Sequence, residues 1–409
     1  MIKLASPVRP VLVAGAPLAT EAAVAQAIYW DPVDQLWYVS QSDGTPGNET
    51  RVIISRYTVD GTPKDAMYLV NSGHGVSLGV EQTPTGVHVW TDALPDGGWA
   101  TALARVPYVP GSNTPGTEVD VSASSVTTFR PRTGVFRVSA KIDPTRNELI
   151  FRWQSDDKSS GTASGGYDRY DLAAAAAGTF TPLQTVAFGP SGKTLQGYTS
   201  LDGHLYQYYG QQEVDNATVT CTDWATGVQL QSVLLRDFPG LNNREPEGLC
   251  TYVGTPGDPV GSPGTVAFGI AAKPATGRQI NIARFPHAGT NPWVKVPYDT
   301  ALYQPNSANY DPQYRISGDQ VHVHFSLSKK PVPPSTTVPA WGQTETLFVL
   351  PPQARPHRTQ RLVGVVSGGA VDGDTQTVRF EVTTDGAVTL FDERNLVGWV
   401  GGDFSFWLC

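Results

Sequence analysis

The sequence predicts an all-β protein, a five-bladed β-propeller followed by a small C-terminal β-sandwich domain. The 409 residues include 42 Gly and 33 Pro, which are disfavoured inside helices and frequent in turns. Short β-forming runs joined by tight turns recur along the first two-thirds of the chain. Five such units start at intervals of roughly 50 to 65 residues, which is typical of propeller blades.

Three of the units open with a hairpin of one design. Residues 27–41, 140–154 and 198–210 each contain an apolar run, a turn on Asp-Pro or Asp-Gly, and a second aromatic-rich run. Asp and Pro suit the first positions of such a turn, and Asp-Gly supplies the positive φ angles that hairpins prefer. Each segment is therefore predicted to be a β-hairpin.

The remaining strands complete the blades. Residues 51–70, 165–187 and 218–235 add the outer strands of the first, third and fourth units. Residues 73–108 form the second unit, and residues 244–286 form the fifth, with a long Gly/Pro loop. A β-sandwich would not repeat in this way, so five blades are predicted.

The chain is predicted to have four segments. An N-terminal attachment segment covers residues 1–24, and the propeller covers residues 25–290. A linker rich in Pro, Asn, Gln and Tyr covers 291–318, and the C-terminal β-sandwich covers 319–409. The predicted strands of this last domain are residues 320–327, 344–350, 360–366, 377–383, 387–391 and 403–408.

The composition excludes several classes of function. The net charge is −8 and no run of Lys and Arg occurs, so no nucleic-acid binding is predicted. The chain has no run of 18 apolar residues, so no membrane insertion is predicted. Cys221, Cys250 and Cys409 match no zinc pattern and are predicted to be buried free thiols.

A polar residue precedes a small one near the start of each predicted inner strand. The pairs are Gln26-Ala27, His74-Gly75, Ser139-Ala140, Gln196-Gly197 and Glu247-Gly248. The innermost strands of a propeller crowd around its axis, where small residues permit close approach. The polar side chains are expected to reach the central channel, which makes Gln26, His74 and Gln196 candidate ligand-binding residues.

The run Arg244-Glu245-Pro246-Glu247 places two carboxylates on one face of an extended strand. Arg244 is expected to pair with them and to keep them ionised. Channel lining, ligand binding and catalysis stay open as roles for these three charged residues. Because a glycosidase needs one protonated and one ionised carboxyl group, we predict ligand binding here and no catalytic residue.

Other possible sites have simpler interpretations. Asp31 and Asp143 precede prolines in matching turns and are predicted to be turn formers. His322 and His324 alternate on one C-terminal strand, which indicates either a metal site or a partly exposed strand face. The glycine-rich stretch 254–264 lacks the Lys and the helix of a nucleotide site. No metal and no cofactor are therefore predicted.

The chain has ten Trp and sixteen Tyr, whose rings can stack on sugar rings while keeping a polar group at the edge. Most are expected in the core. The candidates for exposed positions are Trp99, Tyr167, Tyr303, Tyr310 and Tyr314, of which Trp99 and Tyr167 are predicted to bind ligand. Candidate basic partners for a phosphate-bearing glycan are Arg130, Arg132 and Arg169.

The motifs QAIYWDP, GHGVSLGVE, LQGYTS and REPEGL occur in this order. Together they resemble the teichoic-acid-biosynthesis-protein-C-like propeller of receptor-binding and baseplate proteins from phages of Gram-positive bacteria. The resemblance covers residues 26–286, and GHGVSLG and REPEG are its more specific pieces. LPPQARP at 350–356, followed by VRFEVTTDGAVTLF, is similar to the closing β domain of tail fibres, which usually trimerises.

This resemblance implies a virion protein of the phage tail tip or baseplate. It implies a homotrimer that contacts other tail proteins and binds a host cell-surface glycan without catalysis. Two alternatives stay open: a structural tail component that docks other tail proteins, and a propeller glycan hydrolase. Residues 1–24 are too rich in Pro for the helical stem of some family members, so their mode of attachment is open.

Overall fold

The computed structural model forms two compact units, Met1–Ala288 and Gly289–Cys409. It describes residues 2, 4, 11–44, 50–111, 117–155, 164–188, 194–212, 214–236, 238, 241–254, 264–285, 293–306, 310–317, 320–331, 339–342, 344–367, 375–391 and 398–407. Regular structure in these residues is almost all β, with one α-helix, α1 (Leu172–Ala176), and a 3-10 turn at Pro352–Ala354. None of the helical segments described is long and apolar enough to cross a membrane.

In the residues that the structure describes, the first unit contains 21 strands. In chain order they are β1 (Val11–Pro17), β2 (Ala25–Asp31), β3 (Leu36–Ser42), β4 (Val52–Tyr57), β5 (Pro63–Val70), β6 (Gly79–Thr83), β7 (Gly86–Asp96), β8 (Trp99–Pro107), β9 (Val119–Asp120), β10 (Thr127–Phe129), β11 (Val135–Asp143), β12 (Glu148–Ser155), β13 (Gly165–Asp171), β14 (Gln184–Phe188), β15 (Leu195–Leu201), β16 (His204–Gln211), β17 (Val214–Asp223), β18 (Gln229–Leu234), β19 (Glu245–Tyr252), β20 (Thr265–Ala272) and β21 (Gln279–Arg284).

These strands form five antiparallel blades, which confirms the predicted propeller. Blade one is β2-β3-β4-β5, extended by β9 in parallel with β5. Blade two is β6-β7-β8-β10, blade three is β11 to β14, and blade four is β15 to β18. Blade five is β19-β20-β21-β1, so its outermost strand comes from the beginning of the chain.

The segment 1–24 was predicted to be an attachment segment, but part of it belongs to the propeller. β1 pairs antiparallel with β21, and Val13 is 2% exposed in a core shared by blades five and one. Ile2 and Leu4 are also buried, against blades four and five. The apolar run VLVAGAP is therefore a blade strand, and the first strand of the chain closes the ring.

The inner strands of the blades approach each other closely at glycine, as predicted. A Cβ atom on Gly197 of β15 would lie 2.7 Å from the backbone nitrogen of Leu249 in β19. A Cβ atom on Gly248, whose φ is +81°, would lie 2.6 Å from the backbone nitrogen of Ile28 in β2. Only glycine allows neighbouring blades to meet at these two points.

The GHGVSLG motif binds three blades together. Ser40 Oγ of blade one donates to the Gly75 carbonyl at 2.5 Å. Ser77 Oγ accepts from the backbone nitrogen of Ala140 in blade three at 3.1 Å. Asp92 of β7 accepts from the backbone nitrogens of Gly75 and Ser77 at 2.8 and 3.1 Å. The motif therefore has a structural role, which is to join three blades, and this role does not depend on a ligand.

Within its described segments, the second unit has nine strands: β22 (Val294–Lys295), β23 (Tyr303–Pro305), β24 (Gln313–Ser317), β25 (Gln320–Lys329), β26 (Thr344–Val349), β27 (Gln360–Ser367), β28 (Thr375–Val382), β29 (Ala387–Phe391) and β30 (Trp399–Trp407). The C-terminal β domain was predicted with strands close to these bounds. Residues 291–318, predicted as a linker, contribute β22, β23 and β24 to it.

The strands of this domain belong to one nine-stranded sheet, whereas a sandwich, as predicted, has two sheets. Its order is β22-β24-β25-β30-β27-β28-β29-β26, and β23 pairs with β25. A bridge between Tyr298, which follows β22, and Phe348 of β26 joins the two ends of this order. The sheet therefore curls around a core that includes Phe325, Phe348 and Phe380.

Candidate functional site

The five inner strands run parallel to one another, so all of them begin on the same face of the propeller. Thr199 Oγ1 of β15 lies 2.9 Å from Thr251 Oγ1 of β19, two or three residues beyond the contact of Gly197 with Leu249. Ser77 contacts Ala140, and two residues later Gly79 approaches Ile142. We call the face where β2, β6, β11, β15 and β19 begin the upper face, and the opposite one the lower face.

Three predicted site residues lie at the beginning of inner strands, on the upper face. Gln26, His74 and Gln196 are half-buried there. The Gln196 side chain donates to the Gly210 carbonyl at 3.2 Å, while the Gln26 side chain lies beside Gly75. Their predicted role in ligand binding stays a prediction.

Burial opposes the ionisation of the two carboxyl groups at the start of β19. Glu247 is 2% exposed, and burial, with Glu245 beside it, raises the pKa of its carboxyl well above the ordinary range. Burial also raises the pKa of Glu245, although Arg278 partly opposes this. Arg244 donates to the Leu235 carbonyl at 3.3 Å. Desolvation thus acts against the expected ionisation of both carboxyls, while the pairing of Arg244 with them stays a prediction.

Trp99 and His74 come together on the upper face. Their ring centroids are 4.5 Å apart. The guanidinium of Arg137, a residue of β11, lies 4.3 Å from the Trp99 ring centroid. Burial and Arg137 lower the pKa of His74, which favours the neutral imidazole at pH 7. Trp99 is half-buried and stands at the start of β8. Two of the predicted site residues therefore form one aromatic cluster.

Tyr167 was predicted to lie exposed in a loop, and this was wrong. It is 1% exposed in β13, packs against Phe188 and Tyr198, and accepts from Gln207. Gly165 lies within the same strand, where a Cβ would be 2.2 Å from the Trp153 carbonyl oxygen. Tyr303 and Tyr314 are also buried, whereas Tyr310 is exposed.

A groove of about 910 Å³ lies beside the aromatic cluster. It is lined by Asn71, Leu94, Pro95, Asp96, Thr101, Ser122, Arg130, Gly134, Val135 and Phe136. These residues come from the β7–β8 hairpin, from the segment that leads into β11, and from the ends of the connections around β5 and β9. β5 and β7 end on the upper face and β11 begins there, so all of these segments reach the upper face.

Backbone irregularities shape this groove. Leu94, near the tip of β7, has a φ of +48°, which is uncommon for a residue with a side chain. Arg137 has the same φ, and the β11–β12 register shifts between Phe136 and Ser139. A bulge of this kind redirects neighbouring side chains. It places Phe136 on the groove while Arg137 reaches Trp99.

Of the three arginines suggested as partners for an anionic glycan, Arg130 alone lines the groove. It is exposed and donates to the carbonyl and hydroxyl oxygens of Thr101 at 3.1 and 3.3 Å. Arg132 forms a two-point ion pair with Asp168, at 2.6 and 3.0 Å. Arg169 pairs with Glu148 at 2.9 Å. The groove thus offers a cation, an amide, hydroxyls and an apolar wall.

The other candidate carboxylates are engaged within the protein. Asp31 accepts from the backbone nitrogen of Val33 and from Gln82, and Asp143 accepts from Thr145, so both form the predicted turns. They follow inner strands and therefore lie toward the lower face. Glu81 accepts from Trp90 and pairs with Arg105.

The cysteines and histidines were the remaining candidate ligands for a metal. Cys221 and Cys250 are buried free cysteines, as predicted, and Cys409 lies outside the described residues. Within the described ranges, no cluster of three or more His, Cys, Asp or Glu side chains could hold a metal ion. His322 and His324 share one strand face of the second unit and are both half-buried.

Sequence reasoning missed most of the groove. Asn71, Asp96 and Ser122 lie far apart in the chain and meet only through blade packing. The sequence signals that do exist are the Pro-Asp-Gly-Gly turn at 95–98 and the suggested Arg130.

Comparison with known proteins gives a family match and a curated relative. Residues 24–257 match the family described as the phage five-bladed β-propeller receptor-binding platform domain. Over 244 residues the chain is 25% identical to the putative major teichoic acid biosynthesis protein C of Bacillus subtilis strain 168, covering 56% of this chain and 52% of that protein. The chain therefore spans about half the length of this curated relative.

A solved phage structure shares the fold. The tail fibre of Staphylococcus aureus phage P68 superposes with a TM-score of 0.54 at 15% identity, over 96% of each chain. An exo-β-1,3-galactanase of Phanerochaete chrysosporium matches 96% of this chain and 100% of its own, with 8% identity and a TM-score of 0.40. The second similarity is too low to carry an argument about activity.

Proposed function

Because the chain belongs to the family of phage five-bladed β-propeller receptor-binding platform domains, we propose that it binds a host cell-surface glycan through the upper-face groove. The bound polymer is a teichoic-acid-like or other surface glycopolymer, and it is held without being cleaved. The name of the Bacillus subtilis relative, which concerns teichoic acid, supports this class of ligand.

The observation that carries the proposal is the position of Arg130 in the groove. Its side chain is exposed, and in the described residues its hydrogen bonds are those from Nη1 to Thr101. Its remaining N–H groups can therefore reach a phosphate or a sugar hydroxyl. The half-buried Leu94, Pro95 and Val135 supply an apolar wall, and Asn71 and Ser122 supply short polar groups. Apolar walls with a few polar groups are typical of ligand sites.

The arrangement of carboxyl groups supports binding without cleavage. Glycosidic hydrolysis uses two carboxyl groups across the bond that breaks. Among the groove-lining residues only Asp96 is acidic, while Asp31, Asp143 and Glu81 are held in turns and ion pairs. Glu247, the most strongly perturbed carboxyl, is buried rather than exposed to a polymer.

The test is binding of the full chain to purified cell walls from a panel of Gram-positive bacteria, before and after removal of teichoic acid. Arg130→Ala should lower the bound fraction at least fivefold, because a charge-assisted hydrogen bond contributes about 1.5–3 kcal/mol. Arg146→Ala is the matched control, since Arg146 is exposed on the β11–β12 turn of the lower face.

Two results would contradict the proposal. One is equal binding by wild type and Arg130→Ala to every wall that binds. The other is release of reducing sugar or phosphate from the walls, which would identify a hydrolase.

We further propose that the protein acts as a homotrimer in the tail of the virion, at its tip or baseplate, next to other tail proteins. Three weak sites on one assembly would add their affinities through multivalency. The family and the fold shared with a phage tail fibre support this location. A mass of three chains in solution is expected, and a monomeric mass would contradict it.

A further inference from the structure

The second unit carries a chemically distinctive sheet face that the propeller groove does not involve. Residues of β24, β25 and β30 pair in rows across the sheet: Arg315 with His322 and His322 with Ser405, then His324 with Asp403. The alternate residues Val321, Val323 and Phe325 are buried in the core. Since strand side chains alternate between faces, the rows with charged and imidazole groups share the outer face.

Two exposed aromatic rings border this outer face. The Tyr310 ring lies 5.2 Å and the Trp293 ring 5.9 Å from the His324 ring, centroid to centroid. The Arg315 guanidinium lies 4.7 Å from the Trp293 ring centroid. Trp293 is 38% exposed and Tyr310 is 41% exposed, so both keep a large part of their surface in solvent.

The polar groups beside the rings are held in place but keep bonding capacity. His322 Nδ1 lies 2.7 Å from Ser405 Oγ, and His324 Nδ1 lies 3.7 Å from Asp403 Oδ2. The Nε2 atom of each imidazole can still bond elsewhere. The Asp403 side chain is 78% exposed. Arg315 Nε is enclosed and has no hydrogen-bond partner in the part of the chain that the structure describes.

This combination fits a sugar ring better than the other possible occupants. Pyranose rings have an apolar face that stacks on aromatic rings, and hydroxyls that bond to carboxylate, imidazole and guanidinium groups. The buried core of a protein interface is depleted of charged residues, whereas this face carries Arg315 and Asp403 together with two histidines. A metal site would require ligands converging on one point, and no such cluster is found in the described residues.

We propose that this face binds a pyranose unit of a surface polysaccharide, with its ring against Trp293 and Tyr310 and its hydroxyls on His324, Asp403 and Arg315. The sugar is uncharged, because the face carries one cationic and one anionic side chain, Arg315 and Asp403. The site is independent of the propeller groove, so each can fail without the other.

The experiment uses the full chain carrying Arg130→Ala, so that the groove is impaired. It is applied to a printed array of neutral and N-acetylated mono- and disaccharides, and the Kd of the bound sugar is measured by titration. Trp293→Ala and Asp403→Asn should each weaken binding roughly tenfold. Val363→Ala and Arg361→Ala, exposed positions on β27, are the matched controls and should bind like the parent.

Three results would overturn the proposal: no array sugar binds the Arg130→Ala chain, the Kd is unchanged by both substitutions, or Trp293→Ala changes the mass of the assembly. The last result would identify the face as a contact between copies of the chain. Because Asp403 is exposed, Asp403→Asn tests the site even if Trp293→Ala impairs folding of the second unit.

Discussion

The ammonium group of Lys141 donates to the carbonyl oxygen of Ile28 at 3.2 Å, linking the inner strand of blade three to that of blade one. Lys141 is 2% exposed. Burial lowers its pKa to about 8, with Asp92 and Cys250 opposing the shift. A lysine side chain is therefore buried among the inner strands of the propeller.

Replacing this lysine by an apolar chain of similar length should change how the stability of the propeller depends on pH. The pKa of Lys141 in the folded state lies below the unfolded value of about 10.4, so the unfolded state binds more protons between these values. The wild type should therefore gain about 3 kcal/mol of stability relative to Lys141→Met between pH 8 and 10.4. Urea unfolding across pH 6–10.5 measures this difference. A constant difference at every pH would contradict the assignment.

Glu247 should give the opposite pH dependence. Burial raises its folded pKa above the unfolded value, so the folded state binds more protons and stability falls as the pH rises above about 4.5. Glu247→Gln removes this titration and should match the wild type near pH 4. Its advantage in free energy of unfolding should then grow toward pH 8. Parallel profiles for the two proteins would show that the carboxyl is not held protonated.

Asp92 should be essential for the stability of blade two. Its carboxylate accepts from two buried backbone N–H groups, those of Gly75 and Ser77. Each N–H left without a partner costs about 1–3 kcal/mol. Asp92→Ala should therefore lower the free energy of unfolding by about 2–5 kcal/mol, and Asp92→Asn by less, because the amide oxygen still accepts one bond. A melting temperature of Asp92→Ala within 2 °C of the wild type would contradict this.

The closure of the ring by β1 can be tested at two neighbouring valines. Val13 is buried between blades five and one, whereas Val11 on the same strand is 38% exposed. Val13→Asp should lower the free energy of unfolding by several kcal/mol, because it buries a charge without a partner. Val11→Asp should change it by less than about 0.5 kcal/mol. Equal effects of the two substitutions on thermal unfolding would argue against a strand at this position.

Trp99 should contribute to cell-wall binding through its ring. It pairs with Asp96 across the β7–β8 hairpin and stacks with His74 next to the groove. Trp99→Ala should weaken wall binding about threefold to tenfold, and Trp99→Phe by less, because the phenyl ring retains stacking. Sedimentation of labelled protein with cell walls measures both. Loss of binding by Trp99→Phe equal to that of Trp99→Ala would show that the ring face is not what the polymer contacts.

Local signals in the sequence were enough to predict the blades, and pairings between distant residues were not. The Asp-Pro and Asp-Gly turns, together with the small residues Gly197 and Gly248, predicted the hairpins and the close packing at the axis. β1 was missed because its partner β21 lies more than 260 residues away. Tyr167 was misplaced because its burial depends on packing against Phe188 and Tyr198, which lie on other strands.

The candidate site was predictable only in part for the same reason. Gln26, His74 and Gln196 occupy equivalent positions in a repeat, so their common face follows from the period alone. The groove instead depends on positive φ angles at Leu94 and Arg137, which no composition rule assigns to these residue types. The ionisation of Glu247 depends on burial, and a neighbouring Arg244 in the sequence suggested the opposite.

The position of β1 in blade five also affects how the protein is made. β1 leaves the ribosome before the other blade strands, but β21, its partner, ends at Arg284. At 5–20 residues per second, roughly 15 to 55 s separate the synthesis of the two strands. During that time β1 has no partner in its blade, and unpaired strand edges promote aggregation. The propeller can therefore complete its fold only after its last blade is synthesised.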